Sequence, residues 1–292
     1  MNEIKPTAIF TPFGGRVEIK MFGRQTGDWS LKPLDYEDKN KEILLNRIAC
    51  ITYPTIERVW APRPSEFNAR ILEPIQMTNE AIGHYQGSEK THTMHILWKG
   101  PAEGVEIMST KTCSAFFFTA DCAVIVLSDR ETGRTVASHA GRDSVLDRSV
   151  ILNGEKSRSH FSVVDSMLEY FEDKTRVRAF ICSGLCMHEH PLNAEKIEHQ
   201  IYNQNVLKYL QKKFPSSFFV SGYSLYISVI NIIEEQLIGR GIKPDNIGTD
   251  CSDPVNDKNE RCEFTWWSHS RWLVEGQKGH DGRNGILVTR RW

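Results

Sequence analysis

No stretch of this sequence is apolar for long enough to cross a bilayer. The longest runs, such as residues 115–118 and 123–127, stop after a few residues, where about 20 are needed. Charge of one sign is not in excess either. There are 36 Lys and Arg against 37 Asp and Glu, a net charge of −1, which gives no support to nucleic acid or an anionic membrane as the main partner. The N-terminal MNEIKPTAIF lacks the apolar core of a signal peptide. Cysteine occurs seven times, an odd count in 292 residues and far from the density of a disulfide scaffold. Reduced thiols and a cytosolic setting are therefore expected. With 40% hydrophobic and 25% charged residues, wholesale disorder is excluded.

No repeat or linker divides the chain, so residues 1–292 read as one domain. The polar stretch 143–162 reads as a long loop or insertion, and 250–263 as an exposed loop. Short β-branched or aromatic runs predict strands at 16–22, 115–119, 123–128, 135–138, 177–182 and 285–289. Helical spacing joins Phe161, Val164, Leu168 and Phe171. It also joins Ile197 and Ile201 with Leu207, Leu210 and Phe214, and Leu225 with Val229, Ile232 and Leu237. These stripes read as core-facing surfaces. Strands clustered centrally, with longer helices towards the C-terminus, point to an α+β fold rather than a regular βαβ alternation.

The segment from Thr119-Ala-Asp-Cys122 to His139-Ala-Gly-Arg142 carries the chemistry. Two apolar strands flank the turn Asp129-Arg-Glu-Thr-Gly133, a hairpin pattern. With Glu131 at the turn centre, Cys122 faces position 140 and His139 faces position 123, about 5 Å apart across neighbouring strands. A thiolate and an imidazole are two good ligands for zinc. They are equally a nucleophile and its base, and the plainer alternative is a buried thiol beside a surface histidine. A catalytic metal needs a third ligand. Upstream, Lys90-Thr-His92-Thr-Met-His95 reads as an extended segment whose two histidines point to opposite faces, so without a bend only one could serve. Asp121 could orient a histidine or cap backbone amides.

These residues resemble the laccase-domain proteins (multicopper polyphenol oxidase-like, purine nucleoside phosphorylase), whose pattern is Q-[VT]-H-[GS], then T-A-D-C, then H-A-G-W-R-G. Thr119-Ala-Asp-Cys122 and His139-Ala-Gly141 match at the expected separation. Weaker matches follow in order along nearly the whole chain: Phe10-Thr-Pro-Phe-Gly-Gly15, Gly27-Asp28, Asn46-Arg47, Ser183-Gly184, Trp266-Trp267-Ser268 to Arg271, and Asp281-Gly282-Arg283. The resemblance implies zinc, or alternatively copper, on His92, Cys122 and His139, with His95 as the other candidate for the first ligand. It also implies mixed β-sheets packed as a layered sandwich with helices outside. The chain departs from the pattern where H-A-G-W-R-G becomes His139-Ala-Gly-Arg142-Asp-Ser and where Pro12 replaces an arginine.

The implied activity is phosphorolysis of purine nucleosides (adenosine, inosine, guanosine, methylthioadenosine), with adenosine deamination beside it. A nucleoside and phosphate would be the partners, with no nucleic acid and no membrane. Arg142, Arg271 and Arg283 are candidate phosphate clamps, because guanidinium forks match oxyanions, and Ser268 is a further substrate-binding candidate. Rival roles are an amidase that edits peptidoglycan precursors, a metal-stabilised scaffold without catalysis, and copper polyphenol oxidation. The last needs several cooperating coppers, and the several His-x-His pairs that would hold them are lacking.

Overall fold

The computed structural model describes residues 4–30, 39–64, 69–86, 91–109, 112–154, 162–182, 184, 187–250, 252–277 and 280–291. In chain order the first elements are β1 (Ala8–Phe10), β2 (Val17–Phe22), α1 (Lys39–Thr52), β3 (Arg58–Pro62), β4 (Ile71–Leu72), β5 (Asn79–Gln86), β6 (Thr91–Lys99), β7 (Gly104–Ile107) and β8 (Cys113–Thr119). There follow β9 (Ala123–Asp129), β10 (Thr135–Ala140), α2 (Arg142–Val145), α3 (Arg148–Asn153), α4 (Val163–Leu168), β11 (Val177–Cys182) and β12 (His188–Pro191). The chain ends with α5 (Ile197–Lys213), β13 (Phe218–Ser221), β14 (Ser224–Ile227), α6 (Val229–Gly239), β15 (Ile247–Thr249), α7 (His269–Val274) and β16 (Asn284–Arg290).

A seven-stranded mixed sheet runs β1-β2-β16-β8-β3-β6-β5, and a six-stranded mixed sheet runs β15-β11-β9-β10-β7-β4. A small antiparallel sheet, β12-β14-β13, stands beside them. The two large sheets pack face to face. Between them lie Ile19, Met21, Ala115, Phe117 and Val288 from the first, and Val105, Val124, Val126 and Ala137 from the second. The period-2 alternation of strands assigns the other residues to the outer faces. Phe116, Met94 and Ile96 turn to α1, while Ile125, Leu127 and Val136 turn to the helical layer of α4, α5 and α6. Strands buried on both faces read as near-continuous apolar runs, which is why 115–119 and 123–128 stand out in the sequence. The architecture is the expected α+β sandwich with helices outside.

Several local expectations change. The stretch 143–162 is not simply a loop. Its described part forms α2 and α3, with Val145, Leu146 and Ile151 buried in the helical layer; residues 155–161 lie outside the described residues. Asp147 caps α3 by accepting from the Val150 N–H, and Gly154 ends it with a left-handed φ of 75°. Polar capping residues had hidden a short amphipathic helix. Leu225 belongs to β14, not to the helix after it. Ile197 and Ile201 face solvent on α5, whose buried side is Asn203, Val206 and Leu210.

Helix α1 lies close enough on the seven-stranded sheet to need glycine at 83. A methyl group there would fall 2.3 Å from the Leu45 carbonyl oxygen. Gly83→Ala is expected to destabilise the fold by about 1–3 kcal/mol, read as a lower urea midpoint at unchanged slope.

Candidate active site

The β9–β10 hairpin places its open end at the rim of the inter-sheet space. Ala140 pairs with Ala123 and His139 with Val124, one residue from the expected register. The turn sets the shift: Asp129 accepts from the Glu131 and Thr132 amides, and Gly133 takes φ 68°. Cys122 and His139 are side by side. The imidazole lies in the field of the sulfur, and a methyl group added to Gly141 would lie 3.3 Å from both Cys122 Sγ and His139 Cε1. Glycine at 141 keeps that space open.

Behind the imidazole sits Glu103. Its Oε2 lies 2.7 Å from His139 Nδ1, and its carbonyl accepts from the His139 backbone N–H at 2.9 Å. Glu103 is almost wholly buried, while His139 keeps 15% of its side-chain surface exposed and so stays reachable. The order is sulfur, imidazole, carboxylate. Burial opposes charge on His139, but the Cys122 sulfur and then Glu103 outweigh it, pushing the imidazole up to about 10.

The Thr119–Cys122 turn is fixed from several sides. Thr119 Oγ1 donates to the Cys122 carbonyl. Asp121 Oδ2 accepts from the Ser270 amide and hydroxyl, each at 2.7 Å, at the start of α7. Asn284 Nδ2 donates to the Ala120 carbonyl. The other Asp121 oxygen, Oδ1, is buried without a hydrogen-bond partner. His188, held below its ordinary value by burial, feels the charges of both Asp121 and Arg142. Arg142 forks onto Asp143 and gives Nη1 to His190 Nδ1 at 2.9 Å. That bond makes Nδ1 the acceptor, so the proton of neutral His190 is on Nε2, which is also buried and unpartnered. Burial and then the Arg142 charge keep His190 well below its ordinary value. An unused acceptor thus lies next to Cys122 in the chain, and an unused donor on the histidine that Arg142 binds. Such groups are costly unless a ligand or water meets them.

His92 is not part of this site. In β6 it shares the face of Met94 and Ile96, which pack towards α1 rather than the second sheet. It sits near Thr52 Oγ1 at 3.4 Å and edge-on to Tyr53, and burial keeps it below its usual value. His95 is at the sheet edge with Glu80, 2.6 Å away. Zinc or copper on His92, Cys122 and His139 therefore does not fit. Among the described residues no three His, Cys, Asp or Glu side chains converge on one cation. Cys122 and His139 are two donors, and the second nitrogen of His139 is held by Glu103.

The expected phosphate clamps separate as well. Arg271 is buried, gives its guanidinium to the carbonyls of Pro254, Val255 and Trp266, and stacks on Phe264 at 3.8 Å. Ser268 caps α7 by accepting from the Arg271 amide. Both hold the chain in place. Arg283 is turned onto Asp281 at 2.8 Å. Of the three arginines, Arg142 directly follows the His139–Gly141 turn and its charge reaches His188, while the charge of Arg271 meets that of Asp121. Sequence reading missed Glu103, His188 and His190. The single His-x-His at 188–190 was a usable signal; nothing in the spacing announced Glu103.

Residues 76–291 match the family model described as multi-copper polyphenol oxidoreductase laccase. No curated protein matches the chain. Among solved structures, the hypothetical protein YfiH of Bacillus licheniformis is 14% identical, with 94% of this chain and 93% of that chain covered and a TM-score of 0.60. YlmD from Geobacillus stearothermophilus is 12% identical with full coverage of both chains and a TM-score of 0.61. The Neisseria meningitidis protein NMB0706, of the DUF152 family, is 12% identical over 95% of each chain, with a TM-score of 0.58. At these identities the likeness shows a shared fold. No described helix is long and apolar enough to cross a membrane.

Proposed function

The chain belongs to the multi-copper polyphenol oxidoreductase laccase family, and from that membership we propose an enzyme that cleaves purine nucleosides by phosphorolysis at Cys122, His139 and Glu103. One observation carries the reading: an imidazole set between a sulfur and a buried carboxylate 2.7 Å away, both of which favour its charged form. Breaking the bond between a purine and its ribose builds negative charge on the base and positive charge on the sugar. The His139 imidazolium donates a hydrogen bond to the departing purine nitrogen. The Cys122 sulfur, beside it, stabilises the cationic sugar. Asp121 Oδ1 and His190 Nε2, unused by the protein, supply an acceptor and a donor for ribose hydroxyls. Arg142 supplies positive charge for the attacking phosphate.

A second reading is favoured by the same order of groups. Sulfur, imidazole and carboxylate form a nucleophile, base and orienting acid, so Cys122 could attack an amide such as that of a peptidoglycan precursor and release an amine protonated by His139.

The two readings part in one assay. Purified protein with inosine and phosphate is expected to yield hypoxanthine and ribose 1-phosphate, with no mass added to Cys122. A covalent acyl group on Cys122 with an amide substrate, and no nucleoside cleavage, would overturn phosphorolysis. Inosine formed from adenosine would move the reaction to deamination. Turnover abolished by a chelator and restored by zinc would overturn the metal-free assignment of steps.

A further inference from the structure

The turn end of the β9–β10 hairpin lies about 20 Å from Cys122 by strand length, and a separate construction occupies it. One cavity of about 800 Å³ is walled by Trp60, Ile75, Ile107 and Met108 together with Arg58 and Arg134. A second, of about 320 Å³, is lined by Arg16, Arg290 and Arg291 against turn residues 131–133. Thr132 and Arg290 line both, so the two chambers adjoin. Their size suits a small organic ligand.

The chambers differ in chemistry. In the smaller, cations crowd together. Glu131 is engaged by Arg176 at 2.8 Å, and Glu18 by Arg291. Arg16 gives Nη1 to the Arg130 carbonyl and makes no ion pair among the described residues. Burial and then the charge of Arg16 hold Arg290 below its ordinary value, with Glu106 only partly offsetting them. Glu106 itself takes the fork of Arg134, at 2.7 and 3.4 Å. In the larger chamber Ile75 is 85% exposed and Met108 43%, apolar side chains left uncovered beside a buried indole. The Trp60 Nε1–H is buried and has no acceptor, an unfavourable arrangement that a ligand oxygen or nitrogen would relieve. Arginines crowd one chamber, and beside it Glu73 and Glu106 border an apolar wall with an unmet donor.

We propose that these adjoining chambers bind a small molecule carrying both a phosphate and a planar heterocycle, of the nucleoside monophosphate class, with the phosphate among Arg16, Arg290 and Arg291 and the ring against Trp60, Ile75 and Met108. Guanidinium forks match phosphate oxygens. A heterocycle covers the exposed apolar side chains and brings the acceptor that the indole N–H lacks. The site is distinct from Cys122–His139 and does not depend on what that pair catalyses.

Calorimetric titration of the full chain with AMP, adenosine and inorganic phosphate tests it. One AMP per chain is expected, bound at least about tenfold more tightly than either fragment, because both chambers are filled at once. Arg16→Ala, at an exposed position, is expected to weaken AMP about tenfold while leaving nucleoside turnover unchanged. Trp60→Phe, which keeps an aromatic wall but removes the N–H, is expected to weaken AMP more than inorganic phosphate. Absence of AMP binding at millimolar concentration overturns the proposal. So does AMP affinity unchanged in Arg16→Ala and Trp60→Phe but lost in Cys122→Ala, since AMP would then be sitting at the catalytic pair.

Discussion

Cys122→Ala is expected to lower kcat/KM by about 10³-fold or more while the protein stays folded. Groups that act as one unit in a triad lose nearly the whole catalytic effect when the central members are removed. Cys122 is only half-buried, so its loss leaves a small gap rather than a large cavity. Glu103→Gln tests the same unit from behind. The amide keeps the shape but not the charge, and a fall of about 10²–10⁴-fold is expected, as when an orienting carboxylate loses its charge. The pH dependence has a definite sign. His139 has its folded value raised to about 10, behind the opposing effect of burial, by Cys122 and Glu103. Its charged form, and the stability tied to it, is fully present below the unfolded value of about 6.5 and is lost as pH rises through about 10. The rate should therefore hold through neutral pH and fall on the alkaline side. In Glu103→Gln that fall should move to lower pH. A rate indifferent to both substitutions would remove the pair from the chemistry.

Arg271→Met is expected to cost about 3–5 kcal/mol of stability, a Tm lower by roughly 10 °C for a chain of this size. The side chain is 8% exposed and ties the carbonyls of Pro254, Val255 and Trp266 to one planar fork. Without it those carbonyls lose their donors and the Phe264 ring loses its cation. Arg271→Lys should not rescue it, because an ammonium cannot fork to three oxygens in the same plane. If Arg271 were instead a phosphate clamp, Arg271→Lys would melt normally and raise the KM for phosphate. Scanning calorimetry beside phosphate kinetics separates the two roles.

The difference between Cys122–His139 and His92 shows what a linear sequence can carry. A hairpin joins residues close in sequence, and a short Gly-ending turn restricts their register to within a residue. That contact was readable. The alternation of β6 also showed that His92 and His95 point to opposite faces. It could not show that the His92 face meets α1, since that depends on which sheet packs against which side. The same gap hid Glu103, which reaches His139 because β7 pairs with β10, an arrangement set by strand order across the sheet.

By itself the sequence determined the apolar strands of two sheets, the thiol beside an imidazole at the mouth of one hairpin, and the absence of any long apolar or one-sign charged segment. Those features arise from neighbours along the chain. Only the tertiary structure decided that the histidine is backed by Glu103, that His92 lies on an outer face, and that Arg271 holds carbonyls rather than substrate. Each of those outcomes depends on which face of a strand or helix is buried against which partner, and that is fixed only when distant segments pack together.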